Sequence, residues 1–182
     1  MAKKTLFVLA MALFLSGCAS LPESLKTEDQ NLVTDYQTWI NAPQDSLTTV
    51  RLGGVIAKVD NEAERTRIEV VNLPIENNGK PDINVEPEGR FVAYIDGFVD
   101  PVTYSKGRLV SILGTSDGYE LGKVGDYEYR FPVMKASGYH LWQIKEKVIV
   151  HDQPINTFPC RSLYCREVRI GPTTGQVIQQ VE

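Results

Sequence analysis

"VRLGGVIAKVD", residues 50–60, is where the apolar pattern of the chain changes to a period of two. Inside this stretch stand two adjacent glycines, Gly53 and Gly54. Glycine weakens a strand unless the backbone has to bend there or another backbone comes close, so the pair marks a sharp bend or bulge. A small barrel turns its corners with this device. In "RTRIEVVNL", 65–73, Ile68 and Val70 alternate with Arg67 and Glu69. In "YEYRFPVM", 127–134, Tyr127, Tyr129, Phe131 and Val133 alternate with Glu128 and Arg130. Both read as half-buried strands. "GRFVAYIDGF" (89–98) and "GRLVSILG" (107–114) are of similar length, and "YHLWQIKEKVIV" (139–150) adds at least one more. Turn signals separate them: Asp60-Asn61, Asn77-Asn78-Gly79-Lys80-Pro81, Asp100-Pro101, Asp117-Gly118 and Gly125-Asp126.

The expected class is therefore mainly β: six or seven strands and one N-terminal amphipathic helix in one domain, built as a closed or partly closed small barrel with a five-strand OB-like core and extra strands. A small sandwich is the alternative. The helix is predicted over Thr27–Ala42. Thr27 and Gln30 have capping-box spacing, and Glu28 and Asp29 suit the positive end of a helix dipole. Leu32, Val33, Tyr36, Trp39 and Ile40 form one apolar stripe, and Pro43 stops it. Such a stripe more often closes the open end of its own domain than binds a partner or a membrane surface. Asn72–Glu88 is polar, carries three prolines and reads as a long loop. After Val150 the pattern fades, with Gln176–Val181 left as an edge strand or a loose tail.

Ahead of this body the chain has another composition. Lys3 and Lys4 precede an apolar run, Leu6–Leu15, too short to span a bilayer as a permanent helix. That is the layout of a secretory signal. It ends in Leu15-Ser16-Gly17-Cys18, which resembles the bacterial lipobox, and Ala19 follows. The resemblance implies lipid attachment at Cys18 and cleavage before it. Small residues there let a peptidase hold the backbone extended in a narrow cleft. Three acyl chains exceed the two membrane signals that stable anchoring needs. In enterobacterial lipoproteins an aspartate after the cysteine resembles an inner-membrane retention signal, and its absence implies transport to the outer membrane. The expected division is a signal peptide at 1–17, a lipidated tether at 18–26, a single β-rich domain with its helix at 27–150 and a C-terminal extension at 151–182.

Composition is that of an ordinary globular protein, 42% hydrophobic and 23% charged. The formal charge is −4, and losing residues 1–17 removes two lysines and no acid. Phosphate-backbone binding needs a basic face, so a nucleic-acid partner is not expected. Of the three cysteines, Cys18 is assigned to lipid. Cys160 and Cys165, in "FPCRSLYC", are an even pair in an oxidising compartment and are expected to form a disulfide. By chain entropy so short a loop contributes about 2 kcal/mol. Two free thiols, or half of a metal site near His151, are the alternatives.

No catalytic constellation is legible. There are two histidines, His140 and His151, and no G-x-S-x-G, H-E-x-x-H or phosphate-cradling glycine loop. Asp96, Asp100, Asp117 and Asp126 fall at turns, where aspartate bonds its own backbone. No enzyme, catalytic residue, metal or cofactor is expected.

The order and spacing of several pieces do resemble a known family. Gly53-Gly54-Val55-Ile56, "GRF" at 89–91, "GFVDP" at 97–101, "GRLV" at 107–110, the Pro132-Val133 that closes the tyrosine-rich strand, and Leu141-Trp142, together with the lipobox, are similar to the Slp family of enterobacterial outer-membrane lipoproteins. The resemblance spans roughly residues 1–150 and leaves out the Cys160–Cys165 segment. It implies an outer-membrane lipoprotein, facing the periplasm, associated with starvation or stationary-phase stress. It carries no catalytic residue or cofactor.

The expected function is a non-catalytic structural or interaction module, held to the outer membrane by its lipid and docking on another envelope protein. A small-molecule or glycan-binding module using an OB-like groove is the alternative. The barrel mouth distinguishes them. A cleft lined by Tyr94, Tyr104, Tyr119, Tyr127 or Trp142 favours a ligand, because aromatic faces stack on sugars and bases. A mouth plugged by the N-terminal helix favours the structural role.

Overall fold

The computed structural model describes residues 20–43, 47–150 and 175–182. They form two compact units, one ending at Trp142 and one running from Gln143 to Glu182. Seven strands occur among the described residues: β1 (Thr49–Asn61), β2 (Arg65–Leu73), β3 (Gly89–Asp96), β4 (Leu109–Val124), β5 (Tyr127–Trp142), β6 (Ile144–Val150) and β7 (Gly175–Val181). One α-helix, α1 (Tyr36–Ile40), accompanies them. No described helix is long and apolar enough to cross a membrane.

The first unit is a closed five-strand barrel in the order β1-β2-β3-β5-β4. All neighbours are antiparallel except β3 and β5, which run parallel. The expected mainly β class holds.

The alternation in β2 and β3 explains the layering. Ile68, Val70, Phe91, Ala93 and Ile95 point into the barrel and are buried with Val50, Leu52, Ile56, Val110, Ile112 and Met134. Arg67, Glu69, Arg90, Val92 and Tyr94 occupy the outward positions between them.

The glycine pair sits where β1 changes partners. Gly53, Gly54 and Val55 pair with β2 on one side and with β4 on the other. At Gly54 a Cβ would overlap the carbonyl oxygen of Val71, so the absence of a side chain lets two backbones meet at the corner. The bulge itself lies beyond the pair, between Ile56 and Lys58.

Two expected boundaries change. Asp117-Gly118 is no turn between strands: β4 continues through it, with its register against β5 shifting between Ser116 and Tyr119. The bulge divides β4 and β5 into a barrel part and a projecting arm, Tyr119–Pro132, whose turn is at Gly125-Asp126. The arm folds onto the outer face of the barrel, where Phe131 and Val133 bury Val92 in a second small core.

The predicted Thr27–Ala42 helix shrinks to the five residues of α1. The Thr27 hydroxyl accepts the Asp29 amide, and Asp29 accepts the Asn31 amide, so both caps serve turns. Val33 then joins β1 as a strand partner, donating to Thr49 O at 2.9 Å and accepting from Arg51 N at 2.8 Å. Sheet pairing takes the backbone groups that a helix would have needed. The apolar stripe still goes inward, with Tyr36 and Trp39 buried in the barrel core and Val33 and Ile40 packed against it.

Helix α1 starts at Asp35, whose carboxylate accepts the Thr38 amide at 2.6 Å. Thr38, through its side chain and then its amide, holds the Asp35 pKa below the ordinary carboxylate value. Asp35→Ala should lower stability by about 1 kcal/mol at neutral pH. Because the folded pKa is depressed, this contribution is present above the unfolded value of about 4 and is lost as pH falls through the folded one. Urea melts of both forms at neutral and strongly acidic pH should show the difference shrinking in acid.

The reading of 18–26 as a tether is also revised for its described part. Glu23–Leu25 forms a 3-10 turn with Leu25 fully buried, and Arg51 Nη1 donates to Leu25 O at 3.1 Å. Gly138 on β5 makes room for it, since a Cβ there would overlap the Ser24 carbonyl. The loop after β2 is fastened in turn by Ser111, whose hydroxyl donates to Gly79 O and accepts from Trp142 Nε1 at 2.9 Å.

In the second unit β6 and β7 pair antiparallel from Ile144↔Val181 to Val150↔Gly175. The segment around Gln176 is thus a strand, and its partner is β6.

Candidate functional site

Leu15, Ser16, Gly17, Cys18, His151, Cys160 and Cys165 lie outside the described residues. The others fall on separate elements. His140, on β5, stands edge-on to Trp142 with centroids 4.4 Å apart, opposite Ser111 in register. Burial lowers its pKa, which favours the neutral ring. Asp100 accepts from Val102 N at 3.0 Å and from the Thr103 hydroxyl at 2.8 Å, the turn role expected of it. Asp96 meets Lys135 at 3.6 Å. Among the described residues no three His, Cys, Asp or Glu side chains gather in a way that could hold a metal ion.

The candidate aromatic mouth is not assembled. Tyr94 is on the outer face, donating to Glu120 at 2.7 Å under the Arg65 guanidinium. Tyr104 packs edge-on against Tyr139. Tyr119 donates to Ile40 O, Tyr127 is exposed near the arm tip, and Trp142 is committed to Ser111. Inside the barrel Trp39 meets Phe91 edge-on at 6.1 Å and Tyr36 at 6.4 Å. The Tyr36 hydroxyl donates to Arg90 O at 2.9 Å. Burial, followed by the hydroxyl of Tyr129, pushes the Tyr36 pKa far up, so this phenol stays neutral. The barrel interior is filled by the chain's own side chains.

What converges instead is charge on the outer face. Arg67 donates to Glu120 through Nη2 at 2.6 Å and Nε at 2.8 Å. Arg90 donates to the buried Glu69 at 2.6 Å, and Arg67 stands 3.9 Å from the other Glu69 oxygen. An ion pair so shielded keeps more of its attraction than an exposed one. Beside this lattice lies an open cleft of about 610 Å³ between the barrel wall, the loop at Lys106-Gly107 and the arm tip at Lys123–Gly125. The alternating charges of 65–69 signalled only a solvated strand face; the arm that covers them comes from residues some fifty positions away.

Comparison with known proteins now places the chain. It is 34% identical over 146 residues to the uncharacterized lipoprotein YeaY of Escherichia coli, covering 80% of this chain and 75% of that protein. It is 31% identical over 147 residues to the outer membrane protein Slp of Escherichia coli, covering 80% and 78%. An uncharacterized Haemophilus influenzae protein is 36% identical over 146 residues, covering 78% of each chain. No solved structure matches. The profile of the outer membrane lipoprotein Slp family matches residues 15–167, which begins at the Leu-Ser-Gly-Cys sequence and extends past the expected 150 to take in Cys160 and Cys165. With the profile covering most of the chain and relatives above 30% identity across four-fifths of it, the chain belongs to the outer membrane lipoprotein Slp family.

Proposed function

We propose that the chain is an interaction module of the outer membrane, anchored through lipid on Cys18 with its barrel facing the periplasm, and that it acts by binding, not by turnover, under starvation or stationary-phase stress. One observation carries the choice over a ligand-binding barrel. Tyr36 and Trp39 lie in the barrel core, with Trp39 edge-on to Phe91 and to Tyr36, which fills the interior groove that a stacking ligand would need. Contact is left to the outer surface, where Phe98 and Val102 on one loop and Leu121 and Tyr127 on the arm are exposed. A permanent anchor confines such a surface near envelope partners and raises its effective concentration there.

Crosslinking in stationary-phase cells should yield partner adducts through the loop at 97–102 or the arm. Alanine at His140, Asp96, Asp100, Asp117 or Asp126 should leave starvation survival intact. Loss of survival from one of these in a folded, abundant and correctly placed protein would favour catalysis.

The anchor has its own test. Mass spectrometry of the mature amino terminus should find an acylated cysteine at residue 18, and Cys18→Ser should leave the chain unprocessed. A mature form that starts elsewhere would refute the anchor.

A further inference from the structure

The cleft beside the charge lattice belongs to no role described so far. Its wall is aliphatic at Val55, Ala57 and Val71 from β1 and β2, and Val124 of the arm lines it too. Four cations line it, Lys58, Arg90, Lys106 and Lys123, against a single acid, Glu69. Glu69 is already engaged by Arg90, and Lys58 is held by Asp60 at 2.7 Å. Lys106 and Lys123 have no ion-pair partner among the described residues. They come from different elements, the loop before β4 and the arm tip, and the fold brings both to one cleft. Glu128 faces Lys123 across the arm hairpin without forming an ion pair with it. Arg90 is fixed from several sides: Glu69 takes its guanidinium, Tyr36 donates to its carbonyl, and its amide donates to Tyr129 Oη at 3.2 Å.

On a chain whose net charge is −4, a cleft with this excess of cations is a local exception. A concave site with low-dielectric walls focuses such a field on an anion. Two lysines from separate elements act as point charges suited to a doubly charged group with several acceptor oxygens, and the aliphatic wall suits a short apolar substituent.

We propose that this cleft binds a phosphate-bearing amphiphile, its phosphate shared by Lys106 and Lys123 near Arg90 and its apolar part on Val55, Ala57 and Val71. The site lies outside the barrel, so its failure would leave the plugged interior and the anchor untouched.

The experiment uses the mature chain in an uncharged maltoside detergent, titrated with hexyl phosphate while backbone amide shifts are followed. The amides of 55–58, 106–107 and 123–125 should move together and saturate. Lys106→Glu with Lys123→Glu should weaken binding by at least about tenfold, as should raising salt until exposed charges are screened. The double variant changes exposed side chains only, and its unchanged remaining spectrum would show that it folds. Inorganic phosphate should bind at the same amides more weakly, for want of the apolar part. Nanodiscs containing phosphatidic acid, a lipid phosphomonoester, distinguish the source. If they move the same amides and hexyl phosphate does so weakly, the ligand is a lipid headgroup; if hexyl phosphate alone does, it is a soluble phosphate ester. The proposal is overturned if neither probe moves these amides, if the double variant binds as the parent does, or if hexanoate binds as tightly as hexyl phosphate.

Discussion

Trp39→Ala should destabilise the barrel by about 3–5 kcal/mol, the cost of removing a large aromatic from a packed core. Trp39 is only 4% exposed and holds an edge-on contact with Phe91 on the barrel wall and another with Tyr36 on its own helix. A five-residue helix has too few internal hydrogen bonds to stand alone, so α1 depends on this packing. Removing the indole should leave a cavity that the β-strands cannot close, because their register is fixed on both sides by their neighbours. Equilibrium urea unfolding checks it, with the midpoint falling while the denaturant slope stays close to the parent's. A loss below about 1 kcal/mol would mean that α1 is a loose flap. In that case the interior would be open to ligands and the proposed surface-binding role would lose its main support.

Gly54→Ala should be nearly as damaging, although it adds a single methyl. The new Cβ would overlap the carbonyl oxygen of Val71, a backbone atom that cannot rotate away. Relief requires β1 and β2 to separate at the residues where β1 also holds β4. Overpacking of this kind costs about 1–3 kcal/mol and more where backbone must move, and Gly54 is expected at the upper end or beyond. Gly107→Ala is the comparison. Gly107 also has a positive φ, but nothing lies within 4 Å of an added Cβ, so only backbone strain of about 1–2 kcal/mol applies. Thermal melts of the two variants should therefore separate, with Gly54→Ala the less stable. Equal losses would mean that the corner has room to relax.

Which residues face the barrel core was legible because that face is purely apolar, and the alternation of Ile68 and Val70 with Arg67 and Glu69 records it, although Glu69 on the other face is itself buried. The apolar stripe of 32–40 was legible for the same reason, and its inward destination followed. Its conformation was misread. Thr27 and Asp29 cap turns as readily as helices, and the β1 edge that draws Val33 into an extended path is distant in sequence. Likewise Asp117-Gly118 has turn chemistry, yet the same residues suit a bulge, and only the pairing of β4 with β5 on both sides of it decides between them.

Local sequence alone therefore determined the facing of the strands, the glycine corner and, through Leu15-Ser16-Gly17-Cys18, the expectation of a lipid anchor, because each depends on residues within a few positions of one another. Tertiary structure alone decided that the barrel is filled from within by Tyr36 and Trp39, and that Lys58, Arg90, Lys106 and Lys123 share one cleft. Both arise from contacts between segments tens of residues apart, where each side chain's pattern reports only whether it is buried or wet and says nothing of which neighbour covers it.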